Sequence, residues 1–141
     1  MALQKDLGFL LADVARLTRQ AFQRRLEHSS LTLAQARALV YVSRHEGIRQ
    51  VELAELLEVQ PITLARLIDQ LAQSALVERR ADPADRRAYR LFLTPGAASQ
   101  LSAIEEVAAS VRADALRGVD EQESAVVLSA LRKMRDNLAH S

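Results

Sequence analysis

Leu3, Leu7, Leu10, Val14, Leu17 and Ala21 step by four and three, which is the spacing of one face of an α-helix. Leu11, Phe22 and Leu26 widen that seam beyond a single face, and one helix is predicted from about Leu3 to Glu27. At 1.5 Å per residue it would be ~37 Å long. That is more than a small domain needs, so part of its apolar surface is assigned to a second subunit. Thr32-Leu33-Ala34-Gln35 has the form of a capping box, with Thr32 as N-cap and Gln35 three residues on. The helix it opens carries Ala36, Leu39, Val40 and Val42 to about His45, and Gly47 ends it. Ile48 is placed in one short β contact, and Gln50 to Glu58 forms the next short helix.

Gln60-Pro61 breaks that helix, because a residue before proline avoids the helical region while proline suits the first turn of the next helix. In the helix that follows, Leu64, Ile68, Leu71 and Ala75 recur at i, i+4, i+7 and i+11 and form the buried row. Thr63, Arg66 and Gln70 form a polar row facing outward. The period then falls to two. Val77 begins one extended run, and Tyr89, Leu91 and Leu93 alternate with Arg90 and Phe92 in a second. Between them lies Ala81–Ala88, with Asp82-Pro83 as turn starter and Arg86-Arg87 near the tip. Two short helices with a tight break make a helix-turn-helix, and the arginine-tipped hairpin after them makes a wing. Thr94 and Pro95 are read as cap and first residue of a long helix with Ala97, Leu101, Ile104, Ala108, Val111 and Ala115 on its seam. Gly118 ends it. Asp120 to Glu123 caps a last helix through Val127, Leu131, Met134 and Leu138.

The segment Leu76-Val77-Glu78-Arg79-Arg80, followed by Asp82-Pro83-Ala84-Asp85-Arg86-Arg87 and Leu91-Phe92-Leu93-Thr94, resembles the MarR family of bacterial transcription regulators. Arg66-Leu67-Ile68-Asp69-Gln70-Leu71 resembles its SlyA-like branch. The resemblance implies a mainly α (α+β) fold: a winged helix-turn-helix over 32–94, with dimerisation helices at 1–28 and 95–141 of one 141-residue domain. The chain departs from the family at Ala75, where a glycine usually precedes the Leu-Val pair. A left-handed helix end is therefore not expected there.

Composition narrows the function. Cysteine is absent, which removes disulfides, thiolate metal sites and thiol redox sensing and makes a cytoplasmic protein the default. Met1–Leu10 has no signal-peptide layout, and no apolar run approaches the ~20 residues of a membrane span. No phosphate-binding loop, HExxH or G-x-G-x-x-G motif is present, and His28, His45 and His140 are dispersed. Neither an enzyme nor a metal or cofactor protein is expected. The net charge of +1 is uninformative. From Arg79 to Arg90, however, five arginines face only Asp82 and Asp85, whereas the window Arg44–Arg90 sums to zero.

The expected partner is double-stranded DNA. Arg66 is the candidate for base reading, since a guanidinium can bond a guanine O6 and N7 together. Its surface alternative is an ion pair with Asp69 or Glu58. Thr63 and Gln70 share its row, and Pro61 and Ile62 are placed near phosphates or thymine methyls. In the wing, Arg86 and Arg87 suit a narrow minor groove. Asp85 or Asp82 is expected to brace one of the two, as the resemblance implies, with Arg86 the inserted residue. Arg79, Arg80 and Arg90 are assigned to phosphates or solvent. The resemblance also implies a small aromatic or phenolic ligand in a cleft, for which Arg16, Arg37 and Tyr41 are candidates. The function expected is a homodimeric regulator, a repressor, on a pseudo-palindromic duplex. The alternative is a helical protein-interaction module that keeps the winged fold without binding DNA.

Overall fold

The apolar seams of the central helices and the hairpin converge on one core. Leu39, Leu53, Leu64, Ile68, Leu71 and Leu91 lose essentially all contact with solvent, and all but Leu53 come from positions that the periodicity sends inward. The computed structural model describes residues 2–141, with side chains from Gln4 onward. The seam position at Leu3 lies outside the described side chains. The elements are α1 (Ala2–Lys5), α2 (Leu7–Arg25), α3 (Leu33–Arg44), α4 (Gln50–Leu57), α5 (Pro61–Gln73), β1 (Val77–Asp82), β2 (Asp85–Leu93), α6 (Ala97–Ala115) and α7 (Glu121–Ala139). The first helix is thus not continuous from its start, because a turn at Asp6 separates α1 from α2.

Local chemistry explains most of the boundaries. Thr32 Oγ1 accepts the Gln35 amide at 3.1 Å and Gln35 Oε1 accepts the Thr32 amide at 3.0 Å, which closes the capping box of α3. Asp120 and Glu123 do the same for α7. Pro61 opens α5 directly after Gln60, whose backbone is extended. The start of α6 differs from expectation. Gly96, not Thr94, is its N-cap, and the Thr94 hydroxyl instead donates to the Ala75 carbonyl.

The end of α5 is the larger correction. Ala75 does adopt the left-handed conformation, at φ +59°. The Leu76 amide bonds the Leu71 carbonyl at 2.9 Å and the Ala75 amide bonds that of Ala72 at 3.0 Å, the paired bonds of a Schellman end. Leu76 is then buried and pulls the chain into β1. Ala75 itself leaves the buried row that ends at Leu71. Tertiary burial of Leu76 and Val77 outweighs the steric penalty at one alanine, roughly 1–2 kcal/mol. Ala75→Gly should relieve that penalty, less the extra chain entropy that glycine gives the unfolded state. A net stabilisation of about 1 kcal/mol is expected, read in thermal unfolding as a midpoint ~3–5 °C higher. An unchanged or lower midpoint would show that the turn is not left-handed in solution.

The hairpin is antiparallel, with Val77 opposite Leu93 and Arg80 opposite Arg90. Its strands run further than expected, and Pro83-Ala84 alone makes the turn. A short bridge at Arg49 opposite Arg90 adds a third edge, with the Leu91 amide bonded to the Ile48 carbonyl at 2.9 Å. On the other side, α2 is tied to α6 where Arg25 bonds Ser110 at 2.8 Å and pairs with Asp114. That pair holds the Asp114 carboxyl below the usual carboxylate range.

Candidate nucleic-acid interface

α5 buries Leu64, Ile68 and Leu71 and leaves Pro61, Ile62, Thr63, Arg66 and Gln70 exposed. One helix therefore carries both the core row and the outward polar row that the sequence assigns to it. Arg66 makes no ion pair among the described residues, and Asp69, its nearest expected partner, is taken by Arg79. Gln70 is committed elsewhere. Its Oε1 accepts Gln35 Nε2 at 2.8 Å, so the capping residue of α3 also holds the C-terminal half of α5. The residues of the polar row that remain unengaged are Thr63 and Arg66.

The hairpin sorts its arginines into two groups. Asp82 is buried, and its carboxylate accepts the Ala84 amide at 2.9 Å and Arg49 Nε at 2.8 Å, with Arg90 Nε at 3.4 Å. The Ala84 amide first, then the two guanidiniums, hold this carboxyl below its ordinary range against the opposing effect of burial. Arg90 also donates to the Gly47 carbonyl at 2.9 Å. The Asp–Arg brace is therefore present, but its arginines are Arg49 and Arg90 and not Arg86 or Arg87. Asp85 instead accepts the Arg87 backbone amide at 3.0 Å and shapes the turn. Arg49 was not singled out from the sequence. Its only signal there is its place just before α4, and the pairing depends on β2 passing close by.

Arg79 and Arg80 also have partners within the chain. Arg79 is bound to α4 and α5. Arg80 pairs with Glu78 at 2.5 Å and lies 4.0 Å over the Phe92 ring. Arg86 and Arg87 remain. They are exposed, make no ion pair among the described residues, and fall where the ladder jumps from Ala81–Tyr89 to Asp82–Asp85. Such a bulge lifts residues out of the sheet and re-aims their side chains. Internal pairing thus strips the local excess of positive charge down to the two tip arginines.

The expected ligand residues are only partly gathered. Arg37 and Tyr41 line an apolar cleft of about 170 Å³ with Arg19, Phe22, Val40 and Ile104. Arg16 does not line it and pairs with Asp13 at 3.2 Å, one turn short of the cleft along α2. Arg19, one turn further on, takes the place assigned to it. Among the described residues no cluster of His, Asp or Glu is arranged to hold a metal ion, and no helix is long and apolar enough to cross a membrane.

A helix-turn-helix with a braced, arginine-tipped hairpin defines the winged helix class. The MarR family model matches residues 31–89. A solved structure of MarR is 30% identical over 95% of this chain and 91% of its own, with a TM-score of 0.83. The transcriptional regulator PA3341 is 41% identical over 96% and 99%, with a TM-score of 0.82. The transcriptional regulator SlyA is 27% identical over 96% and 95%, with a TM-score of 0.78. A cysteine-to-serine mutant of MarR from E. coli, solved in complex with operator DNA, is 26% identical over 91% and 92%, with a TM-score of 0.72. This chain belongs to the MarR family of transcription regulators.

Proposed function

We propose that the protein is a homodimeric, sequence-specific repressor that binds a pseudo-palindromic DNA duplex and is released by a small aromatic ligand. The observation that carries this reading is the isolation of Arg66, Arg86 and Arg87. In a reading part whose other wing arginines are internally paired, these three guanidiniums are exposed and make no ion pair among the described residues. Arg66 reads a guanine edge in the major groove, and Thr63 lies beside it, with Pro61 and Ile62 at the entering end of the helix. Arg86 or Arg87 enters the neighbouring minor groove. Residues 32–94 form the reading part. Residues 1–28 and 95–141 form the dimerisation part, supported by the apolar side chains that α2 and α7 leave uncovered. Their burial requires a second copy.

The ligand cleft supports an apolar aromatic compound. Phe22, Val40 and Ile104 offer apolar walls, and Arg19 and Arg37 border it mainly with their aliphatic stems, which leaves the lining almost wholly apolar. At about 170 Å³ the cleft suits a single-ring compound rather than a drug-sized one, for which ~300–1,000 Å³ is usual. A cytoplasmic location follows from a partner that is chromosomal DNA.

The wing tests the reading. Arg86→Ala and Arg87→Ala should weaken duplex binding and reduce the slope of log affinity against log salt by about one per lost phosphate contact. The thermal midpoint should hold, because the hairpin is anchored by Val77, Leu91 and the Asp82 brace and not by its tip. Parent-like binding by both variants would remove the hairpin from the DNA and favour the protein-interaction module.

A further inference from the structure

Arg79 projects inward from β1, and all three of its guanidinium nitrogens are used. Nε donates to Gln50 Oε1 of α4 at 2.8 Å, Nη1 to Asp69 Oδ1 of α5 at 2.6 Å, and Nη2 to the Ala65 carbonyl of α5 at 3.0 Å. The Tyr89 ring of β2 lies 5.9 Å from its central carbon. One side chain therefore ties together both helices of the helix-turn-helix and both strands of the wing. With only 23% of its side chain exposed and each nitrogen already bonded within the chain, it is held away from a phosphate. Its neighbour in the chain of contacts is also telling. Arg49 and Gln50, adjacent at the start of α4, reach to Asp82 and to Arg79 respectively, so two successive residues pin the hairpin at two separate points.

We infer that Arg79 is a positioning residue for duplex recognition, setting the distance between the recognition helix α5 and the wing. The inference rests on the DNA-reading function proposed above. A dimer that reads the major groove with Arg66 and the minor groove with the wing needs those two contacts at one fixed separation on the duplex. The Arg79 guanidinium is the connection that fixes it. It also neutralises Asp69, which is 60% exposed on the recognition helix and would otherwise repel the DNA backbone. A planar fork is required, because the three acceptors are reached from three separate nitrogens and cannot all lie within bonding distance of one ammonium nitrogen.

Arg79→Lys separates this role from a phosphate contact, since it keeps the charge and removes the fork. Affinity should be measured for the duplex that the parent selects and for a scrambled duplex, well below the unfolding midpoint and across a salt series. The expected result is that the ratio of specific to non-specific affinity falls roughly tenfold or more while the salt slope is unchanged. Hydroxyl-radical protection by the wing should blur while that under the recognition helix stays in place. Asp69→Asn and Gln50→Ala each remove one contact and should lower the same ratio less, which keeps the test decisive if Arg79→Lys folds poorly. Parent-like ratios in Arg79→Lys and in the two single-contact variants overturn the inference. So does an equal loss on both duplexes, with Arg79→Ala alone flattening the slope by about one, which would make Arg79 a phosphate anchor. A parent that prefers no duplex would instead defeat the proposed function itself, and the inference with it.

Discussion

Glutamate in place of both Leu7 and Leu10 should turn a dimer into folded monomers at micromolar concentration. In the single chain, α2 carries no buried residue, and neither does α7. Leu10, Val14 and Leu17 are each more than half exposed, as are Val126, Val127 and Leu138 on α7. An apolar stripe at helical spacing on both terminal helices is far more than scattered surface leucines provide, and is the surface that the proposed dimer would bury. Covering a leucine is worth roughly 1.5–3 kcal/mol. A two-fold interface repeats each substitution in both subunits. Because Leu7 and Leu10 are 44% and 59% exposed in the single chain, two leucines in two copies represent ~3–6 kcal/mol before the cost of the buried charge is added. Each 1.4 kcal/mol is a factor of ten, so the dissociation constant should rise by about two to four orders of magnitude. Because both side chains are exposed in the single chain, the variant should keep its helix content. Sedimentation velocity with circular dichroism checks both halves. A parent that sediments as a monomer, or a variant that stays dimeric, would remove the interface from these helices.

The second large effect belongs to Arg66. Arg66→Ala should cost ~1–3 kcal/mol on the preferred duplex. The loss should concentrate at one symmetric base-pair position in each half-site, since recognition helices of a dimer enter successive major grooves ~34 Å apart. Binding to unrelated duplexes should fall far less, because that component comes from phosphate charge spread over several cations. Arg66→Lys should keep the charge and lose part of the discrimination, as an ammonium lacks the planar fork. Titration of parent and variants against single-base duplex variants at fixed salt reads this directly. A uniform loss over all sequences would make Arg66 a phosphate contact. Base reading would then shift to Thr63, because Gln70 is bonded to Gln35.

The helices were legible because their evidence is local. The capping boxes at Thr32 and Asp120 and the break at Pro61 act within four residues, and each appears where its residue types place it. The exposed row of α5 was legible for the same reason, since one helix period fixes both its faces. The partners of the arginines were not. Asp82 and Arg49 are 33 residues apart, Arg79 and Gln50 are 29 apart, and no spacing along the chain encodes a contact made by folding a hairpin against a helix. Counting arginines therefore overstated the basic surface of the wing, and Asp82 was matched to the nearest arginines in sequence rather than in space. Ala75 failed differently. Local preference there opposes the observed backbone, and burial of Leu76 and Val77 prevails over it.

Selection of bound sequences from a random duplex library tests sequence-specific reading most directly. The parent protein should enrich one motif with two-fold symmetry, its half-sites about one helical turn apart. An affinity advantage of at least ~10³ over scrambled duplex is expected at physiological salt. Recovery of unenriched sequences, bound with equal affinity and a steep salt dependence, would contradict it.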